Sequence, residues 1–233
     1  SQIWADKFNG TLEDIFDIQE KVSRSIADAL KIKLNTREQE KIDKRQIDNV
    51  LAYDCYLRAI REINSFSKER LELGLELLQK GMEHSPENPV IYAGMASVYF
   101  QYANLGIESD ENILKAEKFI NKALLIDPEL SEAHTVQANI MMVYYGNLHK
   151  AVTHYKIALN SKPDNLEAMG WLCWGYHLVG RTDDAIALGE KSFEVDPLNT
   201  FNEYIMKGIN HFMTGQFSLA LEPLFSVYRL QPE

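Results

Sequence analysis

The residue types that could carry chemistry in this sequence are two cysteines, six histidines and a large number of carboxylates. Cys55 and Cys173 are too few for a disulfide framework and lack the paired spacing of a zinc site. His149 and His154 are five residues apart, so on a helix they point to different sides and are poor partners for one metal ion. We therefore interpret both cysteines as small buried residues and both histidines as packing or solvated side chains.

Motifs of known catalytic and ligand sites are missing from the sequence as well. There is no Gly-rich phosphate loop, no His-Glu-x-x-His and no Gly-x-Ser-x-Gly. Glu108, Asp110 and Glu111 form an acidic cluster, but they lack the spaced ligands of a calcium loop, so we expect a solvated loop there. The sequence accordingly predicts no catalytic residue, no cofactor and no metal, and hence no enzyme in this segment.

Composition excludes further classes of partner. The 233 residues include 24 Lys+Arg against 34 Asp+Glu, a net charge of -10, and 45% of them are hydrophobic. This is typical of a globular chain, and the acidic balance argues against nucleic acid as the main ligand. No apolar run reaches the roughly 18 residues that a membrane helix needs, so we expect no membrane contact within this segment. Because the chain starts at Ser1 without a methionine or a leader, we interpret it as a segment of a longer protein.

The elements that must position any functional residue are indicated by proline. Pro86, Pro128, Pro163, Pro197 and Pro232 are separated by 42, 35, 34 and 35 residues. A fixed period in the thirties is typical of repeat architectures. Proline ends a helix because it lacks the N–H and clashes with the preceding turn, so each of the five marks the end of one unit.

Each unit also carries two small residues in its second half. The first stands twelve residues before the proline and is Gly74, Ala116, Ala151, Ala185 or Ala220. The second stands five residues before the proline and is Gly81, Ala123, Ala158, Ser192 or Val227. Seven residues are two helical turns, so both positions face one way and let two helix backbones approach closely. Larger residues are expected to fill the space beside them, namely Leu78, Ile120, Tyr155 and Leu224. Gly189 holds that place in the fourth unit and predicts looser packing.

The first half of each unit is helical in pattern too. Met169, Cys173 and Tyr176, for example, recur at steps of four and three. Gly180 and Gly215 fall where the first helix should stop, which suits a left-handed cap residue. Each unit is therefore helix, turn, helix and proline. Since one unit cannot bury its apolar face alone, neighbouring units must stack.

This pattern resembles the tetratricopeptide repeat (TPR). The resemblance implies an all-α right-handed superhelix, or solenoid, of about five helix pairs with an N-terminal helical extension. The five repeats are expected over 51–86, 87–128, 129–163, 164–197 and 198–232. An insertion over about 101–112 explains the long second unit, and Pro223 is expected to kink the last helix. Because no capping helix follows the last proline, we expect more repeats or a cap in the parent protein.

Residues 1–50 differ from the repeats and are predicted to hold a strand remnant and a helical linker. Residues 1–8 suit the end of a strand, Asn9-Gly10 a turn, and the apolar spacing from Ile15 to Leu30 an amphipathic helix over 12–33 that packs on the first pair. A second short helix is expected over 37–44.

Three segments of the sequence resemble a recurring bacterial arrangement. They are Trp4-Ala5-Asp6-Lys7-Phe8, Leu12-Glu13-Asp14-Ile15-Phe16 and, at the junction with the repeats, Ala52-Tyr53-Asp54-Cys55-Tyr56-Leu57-Arg58. There, a TolB-amino-terminal-like module precedes tetratricopeptide repeats. That resemblance implies a signalling parent that carries an adenylate or guanylate cyclase, a kinase or a winged-helix regulator.

In tetratricopeptide proteins the first helix of each unit lines a concave groove. Carried over to this sequence, the groove residues are Phe100, Gln101, Asn139, Met142, Trp171, Trp174, His177, Ile209 and Phe212. Co-chaperone members of the family bind a carboxylate terminus with Lys, Asn and Arg. Here only Asn139 corresponds, and Glu167 would repel a carboxylate. The predicted groove is instead aromatic and apolar, as in many protein interfaces. Because the same spacing suits core packing, both interpretations stay open for Trp171, Trp174, Phe100 and Phe212.

We therefore predict a non-catalytic protein–protein interaction scaffold that binds a peptide or helix, or a second copy of itself as a homodimer. The alternative is a regulatory region of an adenylate or guanylate cyclase that acts by intramolecular contact or self-association. A third interpretation is a spacer that only separates domains. We expect a cytoplasmic location, with the periplasmic side of a membrane-anchored parent as the alternative.

Overall fold

The computed structural model describes residues 15–29, 46–64, 67–196 and 200–230, and every regular element within these ranges is a helix. The eleven helices described are α1 (Ile15–Ala29), α2 (Val50–Ile63), α3 (Lys68–His84), α4 (Pro89–Asn104), α5 (Ser109–Ile126), α6 (Ser131–Asn139, extended by the π-helical residues Ile140–Tyr144), α7 (Leu148–Ser161), α8 (Leu166–Leu178), α9 (Thr182–Val195), α10 (Thr200–Met213) and α11 (Phe217–Leu230). The helix predicted over 12–33 is described as α1. The predicted strand over 1–8, the Asn9-Gly10 turn, the helix over 37–44, Pro197 and Pro232 lie outside the described residues.

Several helices begin at a side chain that caps their free N–H groups. Asn49, Ser67, Asn147 and Asn165 each accept a hydrogen bond from the backbone N–H three residues on, at 3.0–3.3 Å. An N-cap of this kind stabilises a helix by about 1 kcal/mol. These four residues therefore set where α2, α3, α7 and α8 start.

Glycine ends the first helix of the later pairs. The left-handed conformation predicted at Gly180 and Gly215 is confirmed, with φ of 77° and 76°. Gly106 and Gly146 adopt it after α4 and α6, with φ of 76° and 63°. Glycine reaches this region without the steric cost that a Cβ imposes, so the chain can turn directly into the second helix.

The chain forms two compact units, Ser1–Gly94 and Met95–Glu233, with the boundary inside α4. In the first unit α2 packs against α3. The contact is close because α3 carries glycine: a Cβ on Gly74 would lie 3.2 Å from Ile63 Cγ1 and 3.5 Å from the carbonyl oxygen of Ala59. Helix α1 contacts α2 in this unit through Phe16. The Phe16 side chain is buried, and its ring centroid lies 5.2 Å from that of Tyr53.

In the second unit each helix from α5 to α11 packs on the next, and α8 also touches α6 and α10. Two apolar clusters fill this stack. The first joins the end of α4 to α5 and α6 and includes Phe100, Ile120 and Ile140. The second joins α6 to α10 and includes Tyr155, Leu172 and Met206.

The small residues predicted to allow close helix contact are buried wherever the structure describes their side chains. At these positions Ala116, Ala123, Ala151, Ala158 and Ala185 are wholly inaccessible to solvent. Their predicted fillers Leu78, Ile120 and Tyr155 are buried as well, whereas the fourth, Leu224, is 39% exposed.

The expectation of looser packing at Gly189 is wrong. A Cβ there would lie 2.8 Å from Nδ2 of Asn210, because the amide from α10 occupies the space that a larger residue would have filled.

Two further details depart from the sequence analysis. Asp110 and Glu111 lie in the first turn of α5 rather than in a loop, where carboxylates favour the positive end of the helix dipole. The end of α6 is a π-helix, in which Tyr145 N donates to the carbonyl of Ile140 five residues back, at 3.1 Å. A π-turn holds one residue more than an α-turn.

Because the helices approach closely, we predict that substitutions at two nearby positions of α5 change the stability by very different amounts. Ala123→Leu should destabilise the chain by about 1–3 kcal/mol, because a buried position without free space must accept a larger side chain. Leu125→Ala, two residues on at a position that is 85% exposed, should change stability by less than about 0.5 kcal/mol. Urea unfolding followed by circular dichroism measures both changes. Equal effects of the two substitutions would contradict the close contact.

Candidate peptide-binding surface

Helix α8 presents one continuous face to solvent. Its exposed or half-buried positions Glu167, Trp171, Trp174 and Leu178 follow one another at steps of four, three and four, which is one stripe of a helix. The opposite positions Met169, Leu172, Cys173 and Tyr176 are buried, the last three of them in the second cluster. The core face of α8 therefore determines which face remains outside. We call Glu167, Trp171, Trp174 and Leu178 the α8 stripe.

The middle of the α8 stripe is a pair of stacked indoles. The ring centroids of Trp171 and Trp174 are 5.6 Å apart and their planes differ by 19°. Trp171 is half-buried against the second cluster, whereas Trp174 is 40% exposed. Trp171 thus fixes the position of Trp174, and the Trp174 ring is exposed to solvent.

The stripe ends at a concave site. Leu178, which is 45% exposed, lines a pocket together with Val179 and the segment 145–149 that links α6 to α7. Tyr145 stands at the rim, and its hydroxyl donates to Glu117 at 3.0 Å. The backbone turn that shapes this wall depends on Gly146, which has positive φ. An apolar side chain of a ligand would fit against Leu178 there.

The predicted groove residues of α10 also reach the surface. Phe212 is 54% exposed and packs edge-on against Phe217, with ring centroids 5.6 Å apart. Ile209, one turn earlier, is half-buried. Both residues remain candidates for ligand contact.

The other predicted groove residues lie below the surface. Phe100 belongs to the first cluster and Met142 to the second. Gln101, Asn139 and His177 are buried polar residues. Gln101 accepts a hydrogen bond from Asn104 Nδ2 at 3.4 Å, while the other two take part in networks between helices. Of the predicted set, Trp171, Trp174, Ile209 and Phe212 therefore reach the surface.

One of these networks links α6, α7 and α8. Asn139 donates to Glu167 at 3.3 Å and accepts from the hydroxyl of Tyr155 at 2.6 Å. Burial and, secondarily, the charge of Glu167 raise the pKa of Tyr155. The buried hydroxyl therefore remains a neutral donor. The hydrogen bonds of Asn139 hold the first turn of α8 against α6, which orients the start of the stripe.

A second carboxylate adjoins this network. Glu132 Oε1 forms a salt bridge with Lys162 Nζ at 2.9 Å, while Oε2 is buried and has no hydrogen-bond partner. Desolvation raises the pKa of Glu167, the Asn139 hydrogen bond opposes this, and the charge of Glu132 raises it further. Glu167 as a whole nevertheless stays exposed to solvent. The two carboxylates thus repel each other at one end of the stripe.

Another buried polar group joins α8 to α10. His177 Nε2 lies 2.8 Å from Asn210 Oδ1, and the thiol of Cys173 donates to the same oxygen at 3.4 Å. With Nε2 as the donor, His177 Nδ1 is left as a buried acceptor, and it has no partner. Burial raises the pKa of the Cys173 thiol to about 12, so it remains protonated and unreactive at neutral pH.

The histidines pair in a way that the sequence analysis missed. His154 does not face His149. Its Nδ1 lies 3.0 Å from Nδ1 of His134 on α6, and the two rings stack. His134 Nε2 lies 3.0 Å from the carbonyl oxygen of Pro128, so it donates there, and Nδ1 of the same ring accepts from His154. Only the stacking of α6 on α7 brings these two rings together, which is why their spacing of 20 residues carries no local signal.

Among the described residues, no group of three or more His, Cys, Asp or Glu side chains is placed to hold a metal ion. Within the same residues, no helix combines the length and the apolar character needed to cross a bilayer.

Comparison with known proteins shows the fold. No protein-family profile matches the chain. The crystal structure of TTC0263, a thermophilic TPR protein of Thermus thermophilus, superimposes with a TM-score of 0.58 at 14% identity. It covers 78% of this chain and 92% of that one. The predicted all-α tetratricopeptide fold is thereby confirmed.

Two curated proteins are similar over part of the sequence. "Putative adenylate cyclase 3" of Rhizobium meliloti is 29% identical over 96 residues, which are 41% of this chain and 16% of the relative. Transcriptional regulator HilA of Salmonella typhimurium is 23% identical over 177 residues, 74% of this chain and 32% of the relative. The chain thus spans a third or less of the length of the curated relatives it matches.

The histidine pair predicts a loss of stability in acid. Burial, His134 and Lys150 lower the pKa of His154 below its usual 6.5. At His154 the unfolded chain therefore takes up the proton first, so the stability that neutral His154 contributes is complete above pH 6.5 and is lost as the pH falls through its lowered pKa. His154→Gln should lose less unfolding free energy between pH 7.5 and pH 5 than the unchanged chain, as measured by urea unfolding.

His149→Gln, on an exposed position of the same helix, serves as the control and should show the full loss. An identical loss in the two variants would show that the pair does not titrate on unfolding.

Proposed function

We propose that this chain is a non-catalytic protein–protein interaction scaffold that binds a partner segment along the first helices of its pairs. The observation that carries the proposal is the α8 stripe, a run of exposed apolar side chains held in place by a buried opposite face. Trp and Tyr are enriched where interfaces derive most of their binding energy, because they offer large area with few rotatable bonds. The stripe supplies a stacked Trp pair and Leu178 with its adjoining pocket on one helix.

The dimensions of the stripe favour a short segment as ligand. Eleven residues separate Glu167 from Leu178, which is a rise of about 16 Å along an α-helix. An extended peptide of about five residues spans the same length. A rigid helical surface of this size orders one short segment without rearranging itself, which lowers the entropic cost of binding.

For the parent protein we propose a bacterial signalling or regulatory protein, in the cytoplasm. The support is the sequence of residues 1–58, which resembles the end of a TolB-amino-terminal-like module and its junction with tetratricopeptide repeats. The names of the two curated relatives, a putative cyclase and a transcriptional regulator, agree with this class of parent.

A peptide selection tests the proposed surface. A phage-displayed library of random peptides is panned on the immobilised chain, and the affinity of each enriched peptide is measured by fluorescence anisotropy. Trp174→Ala should weaken binding by roughly tenfold or more, since truncating an interface anchor costs about 1–2 kcal/mol or more. Leu125→Ala removes an exposed apolar group from α5, away from the α8 stripe, and should leave the affinity unchanged.

The surface is refuted if enriched peptides bind the Trp174→Ala variant as tightly as the unchanged chain. Circular dichroism of both variants establishes that they are folded to the same extent, so that an effect of Trp174→Ala is a loss of contact.

A second function is favoured by a separate observation. Helix α1 packs through buried Phe16 on Tyr53 of α2, the first helix of the first pair. An N-terminal segment that covers a first helix is placed to act by intramolecular contact. The similarity to a putative adenylate cyclase agrees with a regulatory region attached to such an enzyme.

Deletion of α1 tests the intramolecular contact. Removing residues 1–35 should expose the apolar face around Tyr53 and increase the fluorescence of the dye ANS, which binds exposed apolar surface. Removing only residues 1–10 keeps α1 and should leave the signal unchanged. Equal ANS fluorescence for the two deletions would show that α1 covers no binding surface.

A further inference from the structure

The α8 stripe is chemically graded from one end to the other. It begins with the carboxylate of Glu167, continues through the Trp171–Trp174 stack and ends at Leu178 with its pocket. A ligand that only required apolar contact would gain nothing from an acidic end. The distribution of charge around the stripe therefore bears on what the proposed function binds.

At the acidic end the negative charge exceeds the positive charge. Glu132 and Glu167 lie near each other, and Lys162 is the cation that the structure pairs with this group, through Glu132 Oε1. Glu132 Oε2 is shielded from solvent and accepts no hydrogen bond. Glu167 accepts from the neutral amide of Asn139. Two carboxylates thus face one ammonium group, and a buried acceptor atom lacks a donor.

The opposite end of the stripe carries charges of both signs, and Glu117 accepts from the hydroxyl of Tyr145 there at 3.0 Å. Beyond Leu178 the nearest charged residue along the chain is Arg181, whose guanidinium pairs with Asp184 at 2.7 Å and lies 4.5 Å from the ring centre of Tyr176. His149 lines the pocket itself. Arg181 therefore places a positive charge at the Leu178 end, whereas the first turn of α8 carries the carboxylate of Glu167.

We propose that the α8 stripe binds a polypeptide segment in which Lys or Arg side chains stand next to apolar residues. This inference rests on the proposed function and adds the chemistry of the partner. The cationic side chain lies against the exposed Glu167, to which its N–H groups donate, and close to the negative charge of Glu132. The apolar residues lie along Trp174 and reach Leu178.

The indole pair suits such a segment in two respects. An aromatic face attracts a cation within about 6 Å, so Trp171 can flank an Arg or Lys that the carboxylates hold. The outer indole provides flat apolar area for the residue that follows. The charge of the ligand also complements that of the chain, since the net charge of -10 favours approach of a basic segment.

Three synthetic peptides test this chemistry. Each is fluorescein-labelled and carries the same apolar half, Leu-Trp-Leu-Leu, preceded by three Lys, three Gln or three Glu. The Lys peptide should bind the full chain at least tenfold more tightly than the Glu peptide, as measured by anisotropy at about 0.05 M salt. At 0.5 M salt the ratio should shrink, because screening shortens the range of the charges.

The double variant Glu132→Gln/Glu167→Gln keeps side-chain size and removes both charges. It should reduce the Lys-over-Glu ratio by roughly three- to tenfold, as expected for partly exposed ion pairs. The control Glu190→Gln/Glu194→Gln removes the same charge from exposed positions of α9 and should leave the ratio unchanged. Circular dichroism and urea unfolding show that both variants are folded, and the salt titration of the unchanged chain gives a measurement that needs no variant.

The outcomes separate the two levels of the proposal. Binding of all three peptides with one affinity, or a ratio that both double variants lower equally, overturns the inference and leaves the apolar surface standing. Failure of all three peptides to bind, with no change in Trp fluorescence, overturns the proposed function together with the inference.

Discussion

The constraint on which the rest of this structure depends is the close approach of helix backbones that only small residues permit. At Gly74 a single added Cβ would come within 3.2 Å of Ile63, and the equivalent alanines of later pairs are wholly buried. Protein interiors are so densely packed that one extra methylene displaces the neighbouring side chains. Because the small residues recur seven residues apart on each second helix, they determine which face of that helix meets its partner. The first helix is thereby left with one face in the core and another outside.

The space beside a small residue can also be filled by a polar side chain. In the fourth repeat Gly189 leaves a space that Asn210 fills from the next first helix. Its oxygen then accepts from both Cys173 and His177, and His177 Nδ1 is left without a donor. An unsatisfied buried acceptor costs about 1–3 kcal/mol relative to a satisfied one. The contact of α8 with α10 is therefore held by directional hydrogen bonds as well as by apolar area, and directional bonds define one register between two helices better than an apolar contact does.

Much of the fold follows from local signals, whereas the site does so only in part. Prolines 34 or 35 residues apart, small residues in pairs, and glycines such as Gly180 each act within a few residues, so the sequence alone predicts helices and turns from them. Of the predicted groove residues, Trp174 and Phe212 are exposed, whereas Asn139 and Met142 are buried. The family pattern counts positions along an isolated helix, and α6 has further neighbours on its flanks, including α8, which covers Asn139 with Glu167. The π-turn at Ile140–Tyr144 then shifts the positions that follow it. The His134–His154 pair likewise depends on contacts between elements, which no spacing within one helix reveals.

The exposed aromatic face of α8 and its acidic first turn have different physical origins, and this bears on why they lie on one helix. A carboxylate in the first turn is stabilised by the helix dipole, so Glu167 is compatible with folding by itself. The helix dipole does not stabilise Trp174 and Leu178. Burial of apolar side chains is favourable, and these two remain partly in water. The core already holds α8 through Met169, Leu172 and Tyr176, so the fold does not require large apolar residues on the outer face. A side chain that folding does not need and water disfavours is explained by contact with something that removes it from water. The proposed segment would remove these side chains from water, and its proposed positive charge would complement the carboxylates at the start of the same stripe.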